Sequence, residues 1–171
     1  QSASTTVPNQ NLQKKATGKK GQRVIVERHL VRRKFWTQLL DRSKGRTPLF
    51  SKKTPSIEHY LSISAGKRGI SYNYIITTKG ARIDLYIDKG DRDWNKSAFD
   101  TLARNKSKIE EAVGHSIVWD RLEDKRASVI RYSIDQFGLR DNEKWPELQD
   151  QMIEVMIKFE KAFQPYIQEI G

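Results

Sequence analysis

Four aspartates near the end of one alternating segment are the side chains best suited to binding a divalent cation. Asp84 and Asp88 are four residues apart, so both would point to the same face of a strand. Asp91 and Asp93 follow in the next loop. Carboxylate oxygens bind Mg²⁺ and Ca²⁺, and a metal-dependent nuclease that uses Asp84 and Asp88 is therefore one hypothesis. Because the spacing lacks the terminal glutamate of a helix–loop–helix calcium site, we interpret the segment as a solvated turn without a metal.

A second pattern, Glu123-Asp124-Lys125, matches the Glu-x-Lys half of a restriction-type nuclease core. In those nucleases the carboxylate and the lysine lie on a strand, whereas this tripeptide falls where a hairpin turn is expected. We therefore interpret it as a chance match. The three histidines are scattered without the spacing of a zinc site, and the chain has no cysteine. The sequence predicts no catalytic residue, no metal site and no cofactor.

Positive charge is concentrated at the N-terminal end of the chain. Residues 1–55 carry 14 basic and two acidic side chains, whereas the whole chain has a net charge of +11. Such asymmetry is typical of contact with a polyanion, although a solubilising tail has the same composition. Gly66 to Gly69 form a glycine-flanked basic loop that suits a phosphate or a simple turn. The candidate nucleic-acid-binding residues are Lys14, Lys15, Lys19, Lys20, Arg28, Arg32, Arg33, Lys34, Lys67 and Arg68.

The pattern of apolar residues predicts the elements that position these cations. Residues 1–21 are polar and basic, which predicts a flexible linker ahead of a single α+β domain over residues 22–171. A helical period then runs to Arg42, with Val26 and Leu30 in the same apolar stripe as Phe35 and Leu39.

Alternating segments predict two β-hairpins, one over residues 70–88 with a turn at Lys79-Gly80 and one over residues 117–134. Helices are predicted over residues 95–113, with Lys96 on the solvated side, and over residues 141–170. Residues 56–61 are consistent with one helical turn capped by Ser56. We therefore predict an α+β fold in which an antiparallel sheet from two β-hairpins is covered by three amphipathic helices.

The composition also bears on location. No run of 18 apolar residues is present, and the first residues lack the apolar stretch of a signal peptide. We expect a cytoplasmic protein without membrane contact. Because the chain begins at Gln1 rather than Met, we expect it to be a fragment or a processed product of a longer protein.

Several short motifs together resemble one protein family. They are Phe35-Trp36-x-x-Leu39-Leu40, Leu85-Tyr86-Ile87-Asp88, Asn95-Lys96-x-x-Phe99-Asp100-x-Leu102, Lys108-Ile109-Glu110, Gly114 and Trp119-Asp120-Arg121-Leu122. This pattern resembles the bacterial and archaeal domain of unknown function family 4268, over about residues 25–165. The resemblance implies a C-terminal accessory domain of the kind carried behind nuclease-like PD-(D/E)XK domains. It supplies no catalytic residues and favours DNA as the ligand.

The leading hypothesis is a nucleic-acid-binding accessory module, with DNA preferred, in a larger nuclease-like or defence-related protein. It would not be an enzyme by itself. The alternative is a protein-interaction or oligomerisation domain that uses the C-terminal helix, because the apolar stripe of that helix has near-heptad spacing.

Overall fold

Within residues 10–171, five antiparallel strands form a single sheet. The computed structural model describes the backbone of residues 10–171 and the side chains from residue 18 onward. The strands are β1 (Tyr60–Lys67), β2 (Ile70–Ile76), β3 (Ala81–Ile87), β4 (Val118–Asp120) and β5 (Ser128–Ile134). Their spatial order is β1-β2-β3-β5-β4. The α+β class and the antiparallel sheet predicted from the sequence are thus confirmed.

Both predicted hairpins are present, as β2–β3 and β4–β5, but β1 adds a fifth strand that was not predicted. The prediction of a helical turn over residues 56–61 was wrong. Leu61, Ile63 and Ala65 alternate along β1, and Leu61 lies opposite Tyr74 in the register. This alternation buries Leu61 and Ala65 against the helices.

Four α-helices accompany the sheet in the described part of the chain, rather than the three that were predicted. They are α1 (Gln10–Ser43), α2 (Arg92–Ala103), α3 (Lys106–Val113) and α4 (Trp145–Ile167), with a 3₁₀ turn at Asn142–Lys144 before the last. The predicted helix over residues 95–113 is divided at Arg104 and Asn105. Within the described part of the chain, no helix has the length and apolarity that crossing a membrane requires.

The C-terminal helix α4 lies at the centre of the core. It contacts β1, β2 and β3 along the sheet and both α1 and α3 beside it. Leu148, Met152, Met156, Phe159 and Phe163 are completely buried in these contacts. The near-heptad stripe of α4 is therefore covered by elements of the same chain, and this packing accounts for the spacing that favoured an oligomerisation surface on the helix.

The second half of α1 is fixed to this core. Phe35, Trp36 and Leu39 are completely buried. The indole Nε1 of Trp36 donates a hydrogen bond of 2.9 Å to the carbonyl oxygen of Glu58. Arg42 anchors the end of the helix by donating to both carboxylate oxygens of Asp150 on α4.

The first half of α1 departs from the sequence prediction. The helix begins at Gln10 instead of near residue 22, so its first turns fall within the predicted linker. Lys, Gln and Ala form helices readily without burying any surface, so a lack of apolar residues does not prevent helix formation. Val26 and Leu30, which were predicted to lie in the buried stripe, are 55% and 59% exposed. The division into linker and domain stays a prediction.

Candidate functional site

The cations predicted on α1 lie on the exposed half of that helix. Lys19, Lys20, Arg28, Arg33 and Lys34 are exposed, and Arg32 is half-buried. The side chains of Lys14 and Lys15 lie outside the described residues. Residues 18–34 contain seven basic side chains and one acid, Glu27, which pairs with Arg23 at 3.4 Å. The excess positive charge predicted from the sequence is therefore exposed to solvent along residues 18–34 of α1.

Apolar side chains are interleaved with these cations. Val26, Leu30 and Arg33 follow one another at spacings of four and three residues and so share one face of the helix. Ile25, Arg28 and Arg32 share another face by the same rule. Val24 and Val31 are also exposed, at 47% and 39%. Residues 18–34 of α1 therefore expose basic and apolar side chains together on more than one face of the helix.

The two remaining predicted cations do not join this group. Lys67 and Arg68 lie at the β1–β2 turn, at the opposite end of β1 from Glu58, where α1 makes contact. Eight residues of strand place this turn about 25 Å further along. The ammonium group of Lys67 donates to the carbonyl oxygen of Ile170, whereas Arg68 is exposed. The structure therefore separates the predicted set into a group on α1 and a distant turn.

A site that sequence reasoning missed lies on the open face of the sheet, opposite the helical layer. Here Ser62, Asn73, Asp84 and Arg131 stand directly opposite one another on β1, β2, β3 and β5. They form one continuous row of polar side chains across four strands. Because paired residues in a sheet are only about 5 Å apart, these four groups share one electrostatic environment.

Asp84 is the centre of this row. Its side chain is 4% exposed, and its Oδ1 accepts a hydrogen bond of 2.9 Å from Nδ2 of Asn73. Burial raises the pKa of the Asp84 carboxyl to about 6, although the Asn73 hydrogen bond and the charges of Arg82 and Arg131 oppose the rise. The carboxyl is thus mainly ionised at neutral pH at a considerable cost in desolvation.

The groups around Asp84 are only partly satisfied. The Nε of Arg82 is enclosed and has no hydrogen-bond acceptor among the residues that the structure describes. Arg131 is paired through Nη1 with Asp120, at 3.1 Å. Tyr60 and Tyr86 are 44% and 38% exposed on the same face. A groove of about 560 Å³ lies among these side chains, lined by His59, Tyr60, Ser62, Ser71, Asn73, Ile75, Arg82, Asp84, Tyr86, Val129 and Arg131.

The aspartates considered for a metal have other partners. Asp88 pairs with Arg126 at 2.8 Å and accepts a hydrogen bond from Asn95. The Arg126 hydrogen bond lowers the pKa of Asp88 to about 2. Asp84 and Asp88 are thus held by different side chains. Among the described residues no group of three or more His, Asp or Glu side chains is placed to hold a metal ion.

The Glu-x-Lys tripeptide lies in a turn between β4 and β5, where the sequence predicted a hairpin turn. This position agrees with its interpretation as a chance match. The carboxylate of Glu123 accepts hydrogen bonds from Nη1 of Arg121 at 2.8 Å. It is engaged in the loop rather than presented beside a lysine on a strand.

Lys96 was predicted to be solvated, and this prediction was wrong. Its side chain is 4% exposed, and Nζ donates to the carbonyl oxygens of Arg121, Leu122 and Ala127 and to Oγ of Ser128, at 2.5 to 3.1 Å. Burial lowers the pKa of this amino group. A lysine can reach such a position because its three donors replace water with main-chain acceptors, which the local sequence around residue 96 does not reveal.

Lys96 belongs to a clasp between α2 and the β4–β5 hairpin. Asn95 donates to the carbonyl oxygen of Arg126, and Asp100 accepts two hydrogen bonds from Arg121, at 2.9 and 3.0 Å. Asn95, Lys96, Asp100 and Arg121 stand in the Asn95–Leu102 and Trp119–Leu122 motifs. The motifs therefore hold two distant parts of the chain together, which gives them a structural role.

Comparison with known families matches residues 31–167 to the family described as Domain of unknown function (DUF4268). The matched segment contains the whole sheet, the clasp and the open-face groove, and it begins within α1. Neither the curated proteins nor the solved structures compared with the chain gave a match. The family predicted by the resemblance is confirmed, and the chain belongs to Domain of unknown function (DUF4268).

Proposed function

We propose that the chain is a nucleic-acid-binding accessory module that holds the phosphate backbone along the exposed half of α1. The observation that carries the proposal is the excess of seven basic side chains over one acid in residues 18–34. A helix of this length spans about 25 Å, over which duplex DNA presents roughly 15 phosphate charges. DNA is favoured over RNA by the nuclease-like context that the family resemblance implies.

The contacts would be electrostatic and independent of base sequence. Lysine and arginine side chains that neutralise phosphates release condensed counterions, so the logarithm of the affinity falls linearly with the logarithm of salt concentration. Six phosphate contacts give a slope of about −5 on duplex DNA. Each cation removed lowers the magnitude of the slope by about 1.

The test measures fluorescence anisotropy of a labelled 20-base-pair duplex with the full chain, from 50 to 200 mM salt. We expect the Arg28→Gln, Arg32→Gln, Arg33→Gln triple variant to lose affinity and to reduce the slope by about 3.

The matched control removes the same charge elsewhere. It carries Lys106→Gln, Lys108→Gln and Lys125→Gln, which change exposed side chains on α3 and in the β4–β5 loop. Equal losses in both triple variants would show a non-specific effect of net charge. An affinity that does not change with salt, or no binding at 50 mM salt, would refute the proposal.

A second candidate function is protein interaction through α1. Four exposed apolar side chains between residues 18 and 34 of α1 favour it. They are Val24, Ile25, Val26 and Leu30, and they are 47% to 59% exposed. Clustered exposed apolar side chains are typical of surfaces covered by a partner. Sedimentation velocity of the full chain tests this function by comparing wild type with the Ile25→Gln, Leu30→Gln double variant. A concentration-dependent dimer that forms in wild type and is lost in the variant would identify a second copy as the partner. A monomer at all concentrations would exclude this arrangement.

A further inference from the structure

The open face contains polar groups that the fold itself leaves incompletely paired. Asp84 is 4% exposed and accepts a hydrogen bond from Asn73 at one oxygen, and the enclosed Nε of Arg82 has no acceptor within the described part of the chain. Burying such groups is unfavourable unless a ligand completes their hydrogen bonds. The aromatic rings of Tyr60 and Tyr86 lie on the same face and are accessible.

We propose that this face binds an unpaired nucleobase, which stacks on Tyr86 or Tyr60, donates its exocyclic amino group to Asp84 and accepts from Arg82. A base edge carries donors and acceptors side by side, as this pair of residues requires. Proteins that bind single strands combine such hydrogen bonds with stacking on aromatic side chains. The inference rests on the proposed nucleic-acid function and adds to it a preference for single strands.

A second groove connects this face with α1. It has a volume of about 540 Å³ and runs from Arg33 and Lys53 to Tyr60 and Ser62. Tyr60 and Ser62 also line the groove around Asp84. A strand whose phosphates lie on Arg33 and Lys53 can therefore cross the β1 edge and place a base over Asp84. Both grooves are solvent-facing and of the size of ordinary ligand sites.

The pairing chemistry also predicts which bases bind. Cytosine presents an exocyclic amino donor to a carboxylate, whereas thymine presents an acceptor at the corresponding position. Asp84 should therefore favour an oligomer of cytosine over one of thymine. Asp84→Asn keeps the shape of the side chain but places an amide next to the base, so it should abolish this preference.

The test compares labelled single-stranded 12-mers of cytosine, of thymine and of abasic sites, together with a 12-base-pair duplex. We expect the cytosine oligomer to bind more tightly than the duplex and the thymine oligomer. Tyr86→Leu should weaken its binding about 5- to 150-fold, the range for loss of one stacked base. Neither Tyr86→Leu nor Asp84→Asn should change binding of the abasic oligomer, which keeps the phosphates.

Val118→Ala serves as the control, because Val118 is 50% exposed on the same face but does not line the groove. If cytosine, thymine and abasic oligomers bind equally and Tyr86→Leu has no effect, the inference is wrong, even when the Arg28, Arg32 and Arg33 variant still loses affinity. If no nucleic acid binds at all, both the inference and the proposed function are wrong. A Tyr86→Leu effect on self-association with no effect on any oligomer would overturn the inference in favour of a protein partner.

Discussion

Replacement of Asp84 by asparagine tests the electrostatics of the open face directly. The side chain keeps its size and its contact with Asn73, but it cannot ionise. Burial raises the pKa of the wild-type carboxyl from 3.8 to about 6. The folded protein therefore binds this proton more tightly than the unfolded chain does. The stabilising contribution is fully present below the ordinary pKa and is lost as the pH rises through 6.

The magnitude follows from the two pKa values. One pKa unit corresponds to about 1.4 kcal/mol, so the full shift costs the ionised form about 3 kcal/mol at pH 8. Part of this cost is already present at pH 5, because the unfolded carboxyl has ionised there. Between pH 5 and pH 8, we expect the free energy of unfolding of Asp84→Asn to rise relative to wild type by about 1.5 kcal/mol.

The assay is urea denaturation at pH 5, 6, 7 and 8, followed by tryptophan fluorescence. The hydrogen bonds from Arg126 and Arg42 lower the pKa of Asp88 and Asp150, respectively, so the stability that these two carboxylates contribute is lost only below this pH range. Asp124→Asn, at an exposed turn position, is the control and should follow wild type. A difference between Asp84→Asn and wild type that stays constant from pH 5 to pH 8 would show that the carboxyl is not desolvated in the folded protein.

Two further predictions concern the clasp and a tight loop contact. Lys96→Met should lower the free energy of unfolding by about 2 to 6 kcal/mol in urea denaturation, because it leaves the carbonyl oxygen of Ala127 and Oγ of Ser128 without their donor, at about 1 to 3 kcal/mol each, whereas the carbonyl oxygens of Arg121 and Leu122 each keep another donor; a loss no larger than that of the exposed Lys108→Met would contradict this. Gly138→Ala should cost at least about 1 to 3 kcal/mol, since a Cβ there would lie 2.4 Å from backbone atoms of the β2–β3 turn. Gly21→Ala, on exposed helix with nothing within 4 Å, should instead raise the melting temperature slightly, and equal effects of the two alanines would refute the packing argument.

Local sequence patterns were sufficient to predict the features that depend only on residues close together in the chain. Alternation identified both hairpins, and the glycine of the Lys79-Gly80 turn marked the first of them. Helical spacing placed Phe35, Trp36 and Leu39 in the core. The same spacing failed for Val26 and Leu30, because it shows which residues share a face but not how far along the helix the rest of the molecule reaches.

The sequence by itself determined the α+β class, the location of the basic charge and most of the elements, because these depend on composition and on periods of two and 3.6 residues. The family was identified separately, from the resemblance of several short motifs. The tertiary structure alone decided the open-face site and the clasp. Ser62, Asn73, Asp84 and Arg131 come from four strands and meet only through the register of the sheet. Lys96 is buried because carbonyl groups 25 to 31 residues later in the chain surround it. Contacts of this kind depend on how distant segments pack, which local spacing does not contain.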